Sequence, residues 1–301
     1  MATQSNALRG LNRAQSTGRS RRAPFRGRDV ALFVLACVLS VIFLFPFFWT
    51  VMSSLKSVQE LNTFPPTWIP QDPQWVNYPK VLQRVPFLRW TYNSLLVVFL
   101  ATLGTVLSAS IVAYSFARFR YRGRDLIFMI TLGTMMLPAQ VTLIPQYVLF
   151  HKLGMVNTLY PLWLPAWFGG GAFAIFLIRQ FILSLPRELD EAALIDGAGY
   201  FMIFWRILLP LCKPVLATIT VITFIAVWND FANPLIYLQL PEKFTLAVGL
   251  NYFKNFPEMG GEPTQHLLMA ASVMMTAPII ALFFATQRYF VQGIVLSGIK
   301  G

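Results

Sequence analysis

The residues best placed to do chemistry sit together in one segment. From Pro186 to Pro214 the chain reads PRELDEAALIDGAGYFMIFWRILLPLCKP, with Glu188, Asp190, Glu191 and Asp196 ahead of a run of large apolar side chains. Pro186 suits a first helical turn, and acids there lie near the positive end of the helix dipole. Gly197 and Gly199 suit a helix end and a change of direction. Tyr200 to Leu209 then reads as a second short helix, stopped by Pro210. The chemistry of such a knob is recognition. Leu194, Ile195, Phe201, Ile203, Phe204 and Trp205 need a partner to cover them. A hairpin lying on lipid would present Lys and Arg to headgroups, whereas this one presents acids.

Other candidates are fewer. Trp228, Asn229 and Asp230 end the fifth apolar block, and Asp230 is the one acid within such a block. It lies about 24 Å along a helix from Pro214, near one end of a span. Two roles suit it, a polar contact in a translocation cavity or gate, or a structural cap packed with Asn229. Gly169, Gly170 and Gly171 interrupt the fourth block, either for close approach of a neighbouring helix or as a hinge for alternating access. Trp163, Trp167 and Phe168 precede them and suit either sugar stacking or a membrane interface. His151 and His266 read as interfacial residues, so no metal site and no cofactor are expected. The chain has no G-x-S-x-G elbow, no HExxH and no phosphate-binding loop; Gly293 to Lys300 has an extra Ile299 before the lysine and no Ser or Thr after it.

Composition says what surrounds these residues. Of 301 residues, 56% are hydrophobic and 12% charged, against about 45–50% and 25% in soluble domains. The apolar residues fall in six blocks, about 31–52, 92–117, 126–150, 159–182, 214–238 and 267–287, each near the length that crosses a hydrocarbon core. The expected fold is all-α, a polytopic membrane protein with six transmembrane helices. Residues 1–28 form a basic tail, 29–301 the transmembrane domain, and 186–213 its long internal loop. The first block is expected to be an uncleaved helix, because it is too long for a signal peptide.

The net charge of +12 forms no stripe for nucleic acid; basic residues gather at the ends of apolar blocks. With the N-terminus inside, inner segments hold seventeen Arg and Lys and outer segments seven. Both termini are therefore expected in the cytoplasm. Cys37 and Cys212 lie too far apart for a disulfide under this topology.

Glu191-Ala192-Ala193, three residues, Gly197, nine residues, then Ile207-Leu208-Leu209-Pro210 resembles the EAA signature of permease subunits in binding-protein-dependent ABC importers. Trp228-Asn229-Asp230-Phe231, the order of spans, and the ending Gln287-Arg288-Tyr289-Phe290 … Gly298-Ile299-Lys300-Gly301 resemble the shorter, six-helix permease of maltose-type carbohydrate importers. The resemblance implies a type I importer fold and a prokaryotic cell-membrane location. It implies as partners a second permease, two ATP-binding subunits and an extracytoplasmic solute-binding protein. Glu191, Ala192, Ala193, Asp196, Gly197, Ile207, Leu209 and Pro210 would then contact the ATPase, and alternating access would be driven from there. An importer for glycerol phosphate or another polar solute shares these motifs. An ion-coupled secondary transporter is the rival class, but no midplane charges or inverted repeats are evident.

Overall fold

The computed structural model describes residues 27–254 and 264–297, and among these every regular element is helical. In chain order these are α1 (Gly27–Ser54), α2 (Asn77–Arg84), α3 (Phe87–Arg118), α4 (Arg124–Gly133), α5 (Ala139–Lys152), α6 (Tyr160–Trp163), α7 (Ala172–Ser184), α8 (Glu188–Ile195), α9 (Tyr200–Leu211), α10 (Lys213–Trp228), α11 (Ala232–Tyr237), α12 (Leu246–Lys254) and α13 (Gln265–Ser297), with single turns between some of them. Most of the basic tail, residues 1–26, and the ending Gly298–Gly301 lie outside the described residues.

Among the described residues, four stretches are long and apolar enough to cross a membrane: Val30–Ser54, Phe87–Arg118, Tyr160–Ser184 and Gln265–Gln287. Two bent pairs, Arg124–Met136 with Ala139–Lys152 and Tyr200–Leu211 with Lys213–Trp228, bring the number to six if each is one span.

Contacts divide the chain into the units Met1–Trp49 and Thr50–Gly301. In the first, side chains from Val30 to Phe48 are exposed and apolar on every face of the helix, a pattern that suits hydrocarbon surroundings. The second unit is built on α3. Ala101, Thr105, Ala109, Ala113 and Ala117 recur at four-residue spacing and are all buried. A stripe of small residues lets neighbouring helices approach closely, and α7 and α10 pack along α3. Two apolar cores form at its ends. One gathers Ala113, Tyr114, Phe116, Phe128, Ile178, Ile182, Ile203, Phe204 and Leu208 near Arg118. The other gathers Val81, Trp90, Trp228, Leu246, Phe253 and Leu267 near Phe87.

Three sequence expectations are corrected. The third block is two helices bent by 99°. Pro138 offers no N–H and drives Leu137 into extended backbone, with ψ 120, so the helix stops there. The fifth block was expected to run to 238, but α10 ends at Trp228. Asn229 Nδ2 donates to the Ile225 carbonyl at 2.9 Å, and Asp230 Oδ1 accepts from the Asn233 N–H at 3.3 Å. These local bonds compete with the helix ladder, and the chain restarts as α11. Pro210 does not stop α9, which continues to Leu211 through a π-helical stretch, Ile203–Leu208. The wider turn relieves the clash between the Pro210 ring and the carbonyl four residues back.

The glycine run is a seated break. Gly169, Gly170 and Gly171 have φ of 100, 67 and 88, which L side chains resist. Trp167 Nε1 donates to the Leu100 carbonyl at 3.1 Å, and Ser108 Oγ donates to the Ala166 carbonyl at 2.9 Å. A Cβ on Gly170 would lie 2.5 Å from the Thr105 carbonyl oxygen. Gly170→Ala should therefore cost more than the roughly 1–2 kcal/mol of left-handed strain alone. Gly123→Ala, at φ 82 with nothing within 4 Å, should cost only that strain. Thermal unfolding in detergent checks this; equal shifts for the two variants would show that the close approach to α3 is not a packing constraint.

Candidate functional site

The acidic loop folds into two helices seated on the Arg118 end of α3. In α8, Glu188, Asp190 and Glu191 occupy the first turn, where the dipole favours them. The helix closes with a Schellman turn: the Ala198 N–H donates to the Ala193 carbonyl at 2.9 Å and the Gly197 N–H to the Leu194 carbonyl at 3.0 Å. Gly197 takes φ 83 there, the left-handed conformation such a turn requires. α9 follows from Tyr200.

The inner face of the knob is apolar and buried: Ala193 from α8, with Ile203, Phe204 and Leu208 from α9. Tyr114 of α3 packs against Phe204 and Phe119, each with ring centroids 5.2 Å away. Phe119 meets Tyr200 edge-on at 5.2 Å, and Tyr114 Oη donates to the Tyr200 carbonyl at 3.3 Å.

A polar contact fixes the other helix. Arg118 Nε lies 2.6 Å from Asp190 Oδ2, with the two side chains 7% and 16% exposed. Arg118 Nη2 also donates to the carbonyls of Leu185 at 3.2 Å and Pro186 at 3.4 Å, which precede α8 and have no helical partner of their own. Burial pushes the Asp190 carboxyl above its ordinary range, and Arg118 and then Arg187 pull it back only in part. Removing one partner of a pair this buried costs roughly 3–5 kcal/mol, because the other charge is left unpaired.

The outer face is open. Glu191, Leu194, Ile195, Tyr200, Phe201, Met202 and Trp205 are all exposed, Ile195 at 86% and Phe201 at 76%. Of the residues expected to act here, Glu191, Ala192, Asp196, Gly197 and Pro210 are exposed, Ile207 and Leu209 half-buried, and Ala193 buried. Arg118 and Tyr114 were missed. Arg118 counted only as a flanking charge, and the available signal was its four-residue spacing from Tyr114 at a helix end.

Trp228 is 1% exposed, stacks on Phe224 at 5.7 Å and donates through Nε1 to the Met275 carbonyl at 3.3 Å. Asp230 turns its carboxylate to Asn233, taking the side-chain N–H at 2.8 Å. At the Phe87 end of α3 a cleft of ≈ 440 Å³ is lined by Arg89, Tyr160, Trp163, Glu242 and Lys243 among others.

The model of the binding-protein-dependent transport system inner membrane component matches residues 104–296. The chain belongs to that family. The arabinooligosaccharides transport system permease protein AraQ of Bacillus subtilis (strain 168) is 32% identical over 281 residues, 90% of this chain and 96% of that protein. The sn-glycerol-3-phosphate transport system permease protein UgpE of Yersinia enterocolitica serotype O:8 / biotype 1B (strain NCTC 13174 / 8081) is 33% identical over 277 residues, 90% and 97% of the two chains. A crystal structure of a bacterial ABC transporter involved in the import of the acidic polysaccharide alginate contains a chain with a TM-score of 0.79 and 26% identity, covering 89% of this chain and all of that one.

The permease thus carries a two-helix knob whose geometry depends on Gly197. Asn visits the left-handed region far more readily than β-branched residues. In the purified permease, Gly197→Asn should unfold close to the wild-type temperature and Gly197→Val several degrees lower, measured in detergent at equal protein levels. Equal shifts in both would show that the left-handed turn at Gly197 does not hold the knob.

Proposed function

We propose that this permease works with a second permease, two ATP-binding subunits and an extracytoplasmic solute-binding protein, and that the knob formed by α8 and α9 is where the ATPase acts on it. The observation that carries this is the division of the knob into a face anchored on α3 and an opposite face, both acidic and apolar, that is left exposed. Closure of the ATPase dimer would displace the knob and shift the bundle between inward- and outward-facing states, whose relative free energy the nucleotide sets. Hydrolysis belongs to the separate subunits. The knob then lies on the cytoplasmic side, both termini with it, and the Phe87 end of α3 faces outward, in line with the Arg and Lys distribution.

The solute is a sugar or oligosaccharide. Relatives named for arabinooligosaccharides and for melibiose, raffinose and stachyose support this, as do Tyr160 and Trp163, with ring centroids 5.6 Å apart at the outer cleft. Arg89 at the same cleft favours a second reading, an anionic solute of the kind named for the glycerol-phosphate relative, while Lys243 there donates to the Asn157 carbonyl at 2.7 Å.

In proteoliposomes, the isolated chain should neither hydrolyse ATP nor move solute down an imposed ion gradient. The full assembly with loaded binding protein should accumulate solute while ATP lasts. Glu191→Lys and Phe201→Asp should abolish both ATPase subunit retention and uptake while the permease still inserts. Gradient-driven uptake by the isolated chain would replace this reading with an ion-coupled transporter, and normal uptake in both variants would remove the knob from the ATPase contact.

A further inference from the structure

Among the described residues of α3, Arg118 reaches both α8 and the chain leading into it. It meets Asp190 through Nε and the carbonyls of Leu185 and Pro186 through Nη2. One turn earlier, Tyr114 holds the start of α9 through the Tyr200 carbonyl and the Phe204 ring. Both helices of the knob are thus gripped by the last turns of one span. Asp190 Oδ1 is buried and accepts no hydrogen bond, so the carboxylate depends on Arg118 for its compensation.

The opposite end of α3 makes a matching grip. Trp90 Nε1 donates to the Pro241 carbonyl at 2.8 Å, Asn93 Nδ2 to the carbonyls of Glu242 and Phe244 at 3.0 Å each, and Ser94 Oγ accepts the Leu246 N–H at 2.7 Å. Gly249 of α12 lies so close to Trp90 that a Cβ there would fall 2.3 Å from the ring. Between the grips runs an uninterrupted helix, Phe87–Arg118, about 48 Å long at 1.5 Å per residue.

We propose that Arg118 is a positioning residue that locks the coupling knob to the end of α3, so that displacement of the knob by the ATPase is carried along α3 to the loop it holds at Pro241–Leu246. The inference rests on the reading of the knob as the ATPase contact, and adds the part that transmits the motion. A guanidinium suits this role, because Nη2 bonds the two carbonyls while the charge faces Asp190, Nε making no hydrogen bond of its own. Lysine keeps the charge and loses the spread of donors.

The test uses the complete importer in proteoliposomes and reads solute moved per ATP hydrolysed, at equal amounts of assembled complex. Wild type sets the ratio. At equal amounts of assembled complex, Arg118→Ala and Asp190→Asn should lower the transport-to-hydrolysis ratio roughly tenfold or more and abolish stimulation by loaded binding protein. Arg118→Lys should fall between. If Arg118→Ala does not accumulate, Arg118→Lys carries the same comparison. A wild-type ratio in Arg118→Lys and in whichever other variants assemble overturns the inference. A loss of ATPase binding in step with the loss of transport also overturns it, because Arg118 would then merely shape the docking face. Failure of the wild-type assembly to couple hydrolysis to uptake would instead reject the proposed function.

Discussion

A backbone carbonyl freed by a break in a helix needs a donor wherever the protein buries it, and α3 supplies the donors for several such breaks. A buried group left unsatisfied costs roughly 1–3 kcal/mol, so an irregular segment persists where something satisfies it. Ser108 of α3 bonds the Ala166 carbonyl in the break before the glycine run, while Trp167 from that break returns a bond to Leu100 of α3. Trp90 and Asn93 bond the carbonyls of residues 241, 242 and 244, where the chain turns between α11 and α12. Arg118 does the same before α8.

This constraint explains the uneven chemistry of α3. Its middle is a stripe of alanine and threonine that admits α7 and α10 closely. Toward its ends, Trp90, Asn93 and Arg118 bond the carbonyls of the loops beside them. Breaks held in this way are bonded and packed, and Gly169–Gly171 illustrate the point. Their positive φ values would suit a flexible joint, yet Gly170 packs against the Thr105 carbonyl and Trp167 sits on Gly104. A switch built from such parts moves as packed blocks, because close-packed interfaces favour discrete arrangements over continuous deformation.

Much of this was legible in the sequence, and the exceptions have physical reasons. The apolar blocks and the two-helix knob follow from hydropathy, the glycines and the carboxylates between 188 and 196. The sharpness of the bend at Pro138 does not, because a proline signals a break without fixing the angle that packing selects. The end of α10 at Trp228 was hidden because apolar residues continue through Leu238; what stops the helix is the local bonding of Asn229 and Asp230 to their own chain. The Asp230 carboxylate accepts from Asn233 in the first turn of α11, a contact that spacing along the chain does not announce. Arg118 was least legible of all. An arginine at the end of a span is expected for topology alone, and only the three-dimensional approach of Asp190 and two carbonyls separates a grip from a flanking charge.

The central claim is that the knob and α3 move as one body, and a distance tests it most directly. Spin labels at Glu188 on α8 and at Leu88 near the far end of α3, both exposed positions, report on the separation of knob and outer grip in the complete importer. The account predicts one distance, unchanged between nucleotide-free and nucleotide-bound complexes. A separation that shifts or splits when nucleotide binds would show that the knob moves independently of α3, and would contradict the account.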